Sequence, residues 1–177
     1  ASDVYKRQAM ALDAKVAEKL NYQINRELWS AYYYLTFADY YEMRGLKGFA
    51  SWYMIQVQEE VAHAKILRRY LLDNGVNVKM SALEEPTKTF ENDLEPLEEG
   101  LKHEEYVTSL VNDCYATAKE VNDFRTMQML DWFIKEQGEE EAQAAEVISN
   151  MKLFGTTPQG LFALDREYQT RTFVAPT

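Results

Sequence analysis

Residues 58–64 read Gln-Glu-Glu-Val-Ala-His-Ala, and they put Glu60 and His63 on one face of a predicted helix, one turn apart. This face is an apolar stripe that continues back to Trp52 and forward to Leu67. A carboxylate and an imidazole therefore occupy positions where a helix normally buries hydrocarbon.

The same spacing of polar residues within apolar stripes occurs twice in the chain. Glu27 lies in an earlier apolar stripe, 33 residues before Glu60. Glu104 likewise lies 33 residues before Gln137, and Glu140 follows three positions after that. The repeat predicts two helical hairpins of one spacing with carboxylates turned inward, which is how a four-helix bundle holds two metal ions.

Apolar residues recur at steps of three and four along most of the chain, with glycine, proline or Asn-Asp at the breaks. This period predicts helices at about residues 12–43, 49–74, 96–121 and 125–154, and a short fifth helix at about 158–168. Residues 76–95 lack the period, and about 20 extended residues reach roughly 60 Å, enough to cross a bundle from end to end. We therefore predict an all-α four-helix bundle with a long crossover between its second and third helices.

Composition and charge limit the possible functions. The 177 residues are 46% hydrophobic and 27% charged, as in a soluble globular protein, and they carry a net charge of −10. Nucleic acid is not an expected partner, because phosphate binding needs clustered Lys and Arg. No apolar run approaches the roughly 18 residues of a membrane helix, so no membrane partner is expected. The single cysteine, Cys114, fits a cytoplasmic location.

Residues 1–9 match nothing in the segments that follow them. We interpret them as a leader or a cloning remnant outside the fold. The remainder, residues 10–177, is expected to form a single domain.

The negative charge of the inward carboxylates must be compensated. Four of them fall at one level of the predicted bundle: Glu27, Glu60, Glu104 and Glu140. Buried carboxylates must pair, take up protons or bind metal, and no Lys or Arg lies on the apolar stripes to neutralise them. Two divalent cations would cancel the charge. Carboxylate oxygens with one imidazole favour Fe(II) or Mn(II), and zinc also accepts such ligands.

Each element of this pattern has a simpler interpretation when it is taken alone. A Glu-x-x-His pair on a helix is usually solvated, and Glu27 could lie at the edge of its stripe. Glu59, Glu136 and Glu139 could be exposed helical charge. The recurrence of one offset on four predicted helices is what favours a metal site.

The motifs resemble those of ferritins of the non-haem bacterial type, within the ferritin-like di-iron carboxylate family. They are Glu-Lys-Leu-Asn-Tyr-Gln-Ile-Asn-Arg-Glu-Leu (18–28), Gln-Glu-Glu-Val-Ala-His-Ala (58–64), Lys-His-Glu (102–104) and Trp-Phe-Ile-Lys-Glu-Gln-Gly-Glu-Glu-Glu (132–141). The resemblance covers about residues 10–170. It implies a ferritin-like bundle with a short fifth helix, assembly as a hollow homo-24-mer, and oxidation of Fe(II) at an intrasubunit di-iron centre with ferric mineral stored inside.

The resemblance also implies the ligands of the two irons, which are Glu27, Glu60, His63, Glu104, Gln137 and Glu140. The first ion would bind Glu27, Glu60 and His63. The second would bind Glu60, Glu104 and Glu140, with Gln137 nearby and Glu60 shared.

A third, weaker iron site is implied beside this pair, on Glu59, Glu136 and Glu139, with Glu140 as a further candidate. Tyr34 and Trp132 match aromatic residues next to the di-iron centre of the family. An electron-donor role and a packing role both remain open for them.

Three departures separate this chain from related families. The sequence Gln137-Gly138-Glu139-Glu140 lacks the second Glu-x-x-His of bacterioferritin, so the second iron should be held less tightly. Val61 stands where bacterioferritin has a haem-ligating methionine, so no haem is expected. One cysteine cannot supply the paired cysteines that rubrerythrins use for a further iron.

The resemblance leads us to expect an iron-storage protein with ferroxidase activity, whose partners are Fe(II), dioxygen or hydrogen peroxide, and further copies of itself. The alternative is a soluble di-iron oxidase or peroxidase without mineral storage. A purely structural bundle with inert Glu clusters is a third interpretation, which requires Glu60 to be dispensable for iron binding.

Overall fold

The computed structural model describes residues 12–176. The elements are α1 (Ala14–Arg44), α2 (Lys47–Asp73), α3 (Glu95–Glu120), α4 (Phe124–Phe154) and α5 (Pro158–Tyr168). Residues 12–176 contain no β-strand. The predicted all-α bundle with a long crossover and a short fifth helix is therefore confirmed. The predicted leader at residues 1–9 lies outside the described part of the chain.

Local chemistry sets the turn between the first two helices. Gly45 follows α1 in the left-handed conformation, at φ 78°, which glycine adopts without steric cost. The amide of Leu46 then donates to the carbonyl of Tyr41 at 2.9 Å, closing the end of α1. Because only two residues separate the helices, α1 and α2 pack as an antiparallel hairpin.

The crossover between α2 and α3 is held against α1 by side-chain amides. The Asn25 amide nitrogen donates to the carbonyl of Lys79 at 3.0 Å, and its oxygen accepts from the amide of Ser81 at 2.8 Å. Asn21 accepts from the amide of Lys79 at 2.7 Å. These bonds satisfy backbone groups that have no helical partner, so the extended segment follows a fixed path along the bundle.

Two apolar clusters fill the interior. The aliphatic cluster includes Val16, Leu20, Ile24, Ala64, Leu67, Val107, Val111 and Phe133. The aromatic cluster includes Tyr34, Phe37, Tyr41, Phe49, Tyr53, Leu97 and Val147. Each of the four long helices contributes to both clusters, and the predicted polar ligands lie at the boundary between them. On α1, for example, Glu27 falls between Ile24 and Tyr34.

The fifth helix closes the aromatic end of the bundle. Its N-cap, Thr157, accepts from the amide of Gly160 at 3.0 Å, and Pro158 stands at its first turn. Asp165 accepts from the amide of Phe49 at 3.0 Å. A Cβ at Gly48 would lie 1.6 Å from the carbonyl oxygen of Asp165, so only glycine allows this approach. No helix within residues 12–176 is long and apolar enough to cross a membrane.

Candidate metal centre

The six residues predicted to bind the two irons are all buried at the middle of the bundle. They are Glu27, Glu60, His63, Glu104, Gln137 and Glu140, each at most 3% exposed. All four long helices contribute to this set. The helical stripes read from the sequence therefore have the correct inward faces.

Glu27, Glu60 and His63 form the tightest group. One potential ligand atom from each lies within 4.8 Å of the other two. The Nδ1 atom of His63 is 3.5 Å from Oε2 of Glu60 and 3.7 Å from Oε2 of Glu27. These separations are too long for good hydrogen bonds. They suit donor atoms that each bond one metal ion at about 2.0–2.2 Å.

The hydrogen-bond inventory of this group supports metal binding. Oε2 of Glu27, both carboxylate oxygens of Glu60 and Nδ1 of His63 are buried and have no hydrogen-bond partner within the described residues. Unpaired buried polar atoms are costly and therefore rare. Four of them facing one another, all of metal-ligand type, fit a divalent cation.

Burial and mutual repulsion keep protons on three of the carboxyls. The pKa of Glu60 is raised well above its ordinary value by burial and by the charges of Glu104 and Glu27. Burial raises the pKa of Glu104 to about 7. Burial, with the charge of Glu104, raises the pKa of Glu140 to about 8. A metal ion entering this site must therefore displace protons near neutral pH.

The pKa values of Glu27 and His63 shift differently from those of the other candidate ligands. Burial acts to raise the pKa of Glu27, but interaction with the His63 imidazole and with Glu60 outweighs it and lowers that pKa. Burial likewise acts to lower the pKa of His63, and the two carboxylates raise it well above its ordinary value. Both shifts favour the charged forms of Glu27 and His63, so His63 would have to release a proton in order to bind a metal ion through Nδ1.

Glu104 is bound by two donors from neighbouring helices. The Tyr34 hydroxyl donates to its Oε1 at 2.5 Å, and Nε2 of Gln137 donates to its Oε2 at 3.1 Å. Both bonds lower the pKa of Glu104 against the effect of burial. Tyr34 and Gln137 thus hold the carboxylate of Glu104 in one orientation. Glu104 does not join Glu27, Glu60 and His63 in their close group.

A second close group joins His63, Glu136 and Glu140. Nε2 of His63 lies 3.9 Å from Oε1 of Glu136. Oε2 of Glu140 accepts from Nε2 of Gln56 at 3.0 Å. The family resemblance implied Glu136 as a residue of a third site beside the pair, and the structure places it near Nε2 of His63, the ring nitrogen opposite the one that faces Glu27 and Glu60.

The two remaining residues of the expected third site are less buried. Glu139 is 55% exposed and lies 3.9 Å from Nζ of Lys135. Glu59 is paired with Arg171, whose Nη2 lies 2.8 Å from its Oε2. Neither joins a close three-residue group of potential ligands in the described chain.

Two residues at the site were not singled out from the sequence. Gln56 contacts Glu140, and its position one turn before Glu60 on the apolar stripe was a usable signal. Arg171 follows the fifth helix, and no local pattern connects it with α2. Contacts between residues more than 100 positions apart depend on the fold itself.

The aromatic residues differ in how they meet the site. Tyr34 bonds Glu104 directly, whereas the ring of Trp132 packs edge-on against His63, with ring centroids 5.5 Å apart. His103, the chain's other histidine, bonds the hydroxyl of Ser30 at 2.8 Å. Burial lowers the pKa of His103 to about 4, so it is neutral and structural.

Sequence comparison shows the family to which the chain is similar. The family described as the ferritin-like domain matches residues 17–154. A bacterial non-heme ferritin of Staphylococcus aureus is 31% identical over 162 residues, which cover 92% of this chain and 98% of the relative. A bacterial non-heme ferritin of Escherichia coli is also 31% identical, over 90% of this chain and 96% of the relative.

Solved structures give the same result. An engineered closed form of the Archaeoglobus fulgidus ferritin superposes with a TM-score of 0.90 at 37% identity, covering 93% of this chain and all of the other. The open-pore ferritin of the same archaeon superposes with a TM-score of 0.89 at 37% identity, covering 92% of this chain. The chain therefore belongs to the ferritin family, with bacterial non-haem ferritins among its relatives.

Proposed function

We propose that this protein is an iron-storage ferroxidase, which oxidises Fe(II) to Fe(III) at a di-iron centre in the bundle and deposits the ferric product in the cavity of a 24-mer. The observation that carries the proposal is the set of four buried atoms on Glu27, Glu60 and His63 that could bind a metal ion and have no hydrogen-bond partner within the described residues. A structural bundle would leave these atoms uncompensated.

The first Fe(II) binds Glu27, Glu60 and His63 in this proposal. The second binds Glu60, Glu104 and Glu140, with Gln137 orienting Glu104 through the 3.1 Å hydrogen bond. Glu60 is suited to be shared because both of its oxygens lack a hydrogen-bond partner among residues 12–176. Each carboxyl that binds iron gives up its proton, so the site remains nearly neutral when it is loaded.

Oxidation takes one electron from each Fe(II). With dioxygen as oxidant, two Fe(II) and two protons yield two Fe(III) and one hydrogen peroxide. With hydrogen peroxide, they yield two Fe(III) and two water molecules. Tyr34 donates a hydrogen bond to Glu104 and lies within the aromatic cluster, so in this proposal it holds Glu104 in position at the second iron.

A third iron site is proposed on Glu59, Glu136 and Glu139, next to Glu140. Its support is the proximity of Glu136 to His63 and Glu140. Glu136 and Glu139 are also more exposed than the central ligands, which suits a site that passes iron onward. No haem is part of the proposal, because Val61 offers no ligand.

Assembly into a shell and a cytoplasmic location complete the proposal. The ferritin relatives support the first point. So do large exposed apolar side chains, which a contact with other copies would cover. They include Met43, Phe124, Leu153, Phe154 and Phe162.

Aerobic addition of excess Fe(II), followed by gel filtration with iron and protein assayed in each fraction, tests the proposal. Iron far in excess of three per chain, eluting with a particle of several hundred kilodaltons, is the expected result. Iron that saturates at two or three per chain on a small species would instead support a soluble di-iron oxidase or peroxidase.

A further inference from the structure

The segment after the fifth helix returns to the metal centre. Residues 169–176 run along α2, where Phe173, Ala175 and Pro176 line a groove with Val57, Val61 and Ala62. We call residues 169–176 the C-terminal strap. It brings one cationic side chain, Arg171, to the level of the third-site carboxylates.

Arg171 makes four contacts with a single stretch of α2. Its Nη2 donates to Oε2 of Glu59 at 2.8 Å and to Oε1 of Gln56 at 2.6 Å. Its Nη1 donates to the carbonyl oxygen of Trp52 at 3.2 Å, and the guanidinium lies 4.2 Å from the centroid of the Trp52 ring. Charge-assisted bonds of this kind, combined with stacking, fix a guanidinium strongly.

Glu59 is also coupled to the proposed third site through its charge. Burial raises the pKa of Glu136, and the carboxylates of Glu139 and Glu59 add to that rise. Glu59 likewise adds to the raised pKa of Glu140, after burial and Glu104. Contacts link the same residues, because Arg171 bonds both Glu59 and Gln56, and Gln56 donates to Glu140 at 3.0 Å. The cation that Glu59 holds in this structure is Arg171.

We propose that Arg171 competes with a metal ion for the third site: its guanidinium is bound to Glu59 and must leave before a metal ion can bind there. Arg171 is thus a positioning residue that lowers the affinity of the third site. This inference rests on the proposed function, since it takes Glu59 to be a third-site ligand.

The departure of Arg171 would also affect the proposed di-iron centre. Arg171 binds the oxygen of the Gln56 amide, which leaves the Gln56 nitrogen to donate to Glu140 at 3.0 Å. When Arg171 leaves, the Gln56 amide is free to turn, and Glu140 loses a donor that holds its orientation. Occupation of the third site therefore loosens a ligand of the second iron, which favours passing iron onward.

The test is calorimetric titration of the intact, metal-free protein with Zn²⁺, which binds without redox chemistry. The wild type should bind two Zn²⁺ ions tightly and a third more weakly. Arg171→Gln should tighten the third site about tenfold, because one charge-assisted bond no longer competes. The tight site that uses Glu140 should weaken by up to about threefold, because Gln56 is no longer held, and the other tight site should not change.

Lys135→Gln is the matched control. It removes the same charge beside Glu139, another proposed third-site ligand, but Lys135 is 80% exposed and lies 3.9 Å away. The third site should therefore change by less than about twofold in this variant. Equal tightening in Arg171→Gln and Lys135→Gln would overturn the proposal, because general charge would then explain the effect.

A crystal structure of the Zn²⁺-loaded wild type supplies the second measurement. A third Zn²⁺ on Glu59 with Arg171 moved out of hydrogen-bond reach supports the proposal. A third ion bound while Arg171 still holds Glu59 would overturn it. Binding of only two ions in every variant would also overturn it, but would leave the proposed di-iron centre intact. Failure to bind any Zn²⁺ or Fe(II) would overturn the proposed function as well.

Discussion

Both carboxylate oxygens of Glu60 lack a hydrogen-bond partner within residues 12–176, although Nδ1 of His63 lies only 3.5 Å from Oε2. A buried acid and base at this separation would normally close to a hydrogen bond of about 2.8 Å. Both side chains lie one turn apart on α2, and Glu27 of α1 lies 3.7 Å from the same nitrogen of His63. The geometry fits a shared ion better than a salt bridge.

Replacing Glu60 should therefore be the most damaging single change at the site. Glu60→Ala removes the ligand shared by both proposed ions, and we expect the initial rate of Fe(II) oxidation to fall at least about 100-fold. Stopped-flow absorbance after mixing with Fe(II) in air measures this rate. Glu59→Ala is the control and should affect mainly the third site. Equal losses in the two variants would contradict the assignment.

The hydrogen bond between Tyr34 and Glu104 should tune metal binding. Tyr34→Phe removes a donor that lowers the pKa of Glu104. The pKa of Glu104, about 7 in the wild type, should rise by about one unit. The pH of half-maximal Zn²⁺ binding should shift upward with it.

Tyr33→Phe provides the matched control for this experiment. The Tyr33 hydroxyl donates to Glu99 at 2.9 Å, away from the ligands, so the change removes a comparable bond elsewhere. Its pH profile should match the wild type. An unshifted profile in Tyr34→Phe would show that this hydrogen bond does not set the protonation of Glu104.

The metal-free protein should lose stability as the pH rises from about 5 to about 8. The folded chain keeps protons on Glu104 up to about pH 7 and on Glu140 up to about pH 8, whereas an unfolded chain releases them near 4.5. The folded state therefore binds more protons across this window, and raising the pH favours unfolding. The raised pKa of His63 acts in the same direction, while the lowered pKa of Glu27 acts only below about 4.5. The lowered pKa of His103, about 4, opposes the loss only below about pH 6.5.

Thermal unfolding of chelator-treated protein at several pH values measures this effect. The melting temperature should fall by several degrees across the window, as expected for a loss on the order of a few kcal/mol. Saturating Zn²⁺ should remove the fall, and Glu104→Gln with Glu140→Gln should flatten it. A melting temperature that rises with pH would show that these carboxyls are ionised without metal.

Two glycine substitutions should have opposite effects on stability. Gly48→Ala would put a Cβ 1.6 Å from the carbonyl oxygen of Asp165 and should displace α5, at a cost of about 2 kcal/mol or more. Gly138→Ala meets no described atom within 4 Å and lies inside α4, so it should stabilise by about 0.5–1 kcal/mol. Denaturant unfolding of both variants compares them. Equal effects would contradict the packing described for α5.

Periodicity was enough to predict that the candidate ligands are buried in the bundle. Glu27, Glu60, Glu104 and Glu140 lie on stripes with long apolar runs on both sides, and those runs fixed which face of each helix turns inward. The predicted helix ends were less accurate and differ from the observed ends by up to about two residues. The first helix, for example, begins at Ala14 because the side chain of Asp13 caps it, a signal that the apolar pattern does not contain.

Contacts between distant parts of the chain could not be predicted in this way. The amides of Asn21 and Asn25 bind the crossover more than 50 positions later. Arg171 meets Glu59 across 112 positions. A periodic pattern reports which face of a helix is buried, but it does not report which loop or tail covers the adjoining surface. The retention of protons by Glu104 and Glu140 likewise depends on how close the carboxyls come once the helices have packed.

The central claim is that two iron ions bind among the four long helices. Crystals soaked anaerobically with Fe(II), with anomalous scattering recorded at the iron absorption edge, test it most directly. We predict two peaks in the bundle interior, one bounded by Glu27, Glu60 and His63 and the other by Glu60, Glu104 and Glu140. Iron found only at exposed carboxylates, with none within reach of Glu60, would contradict the account.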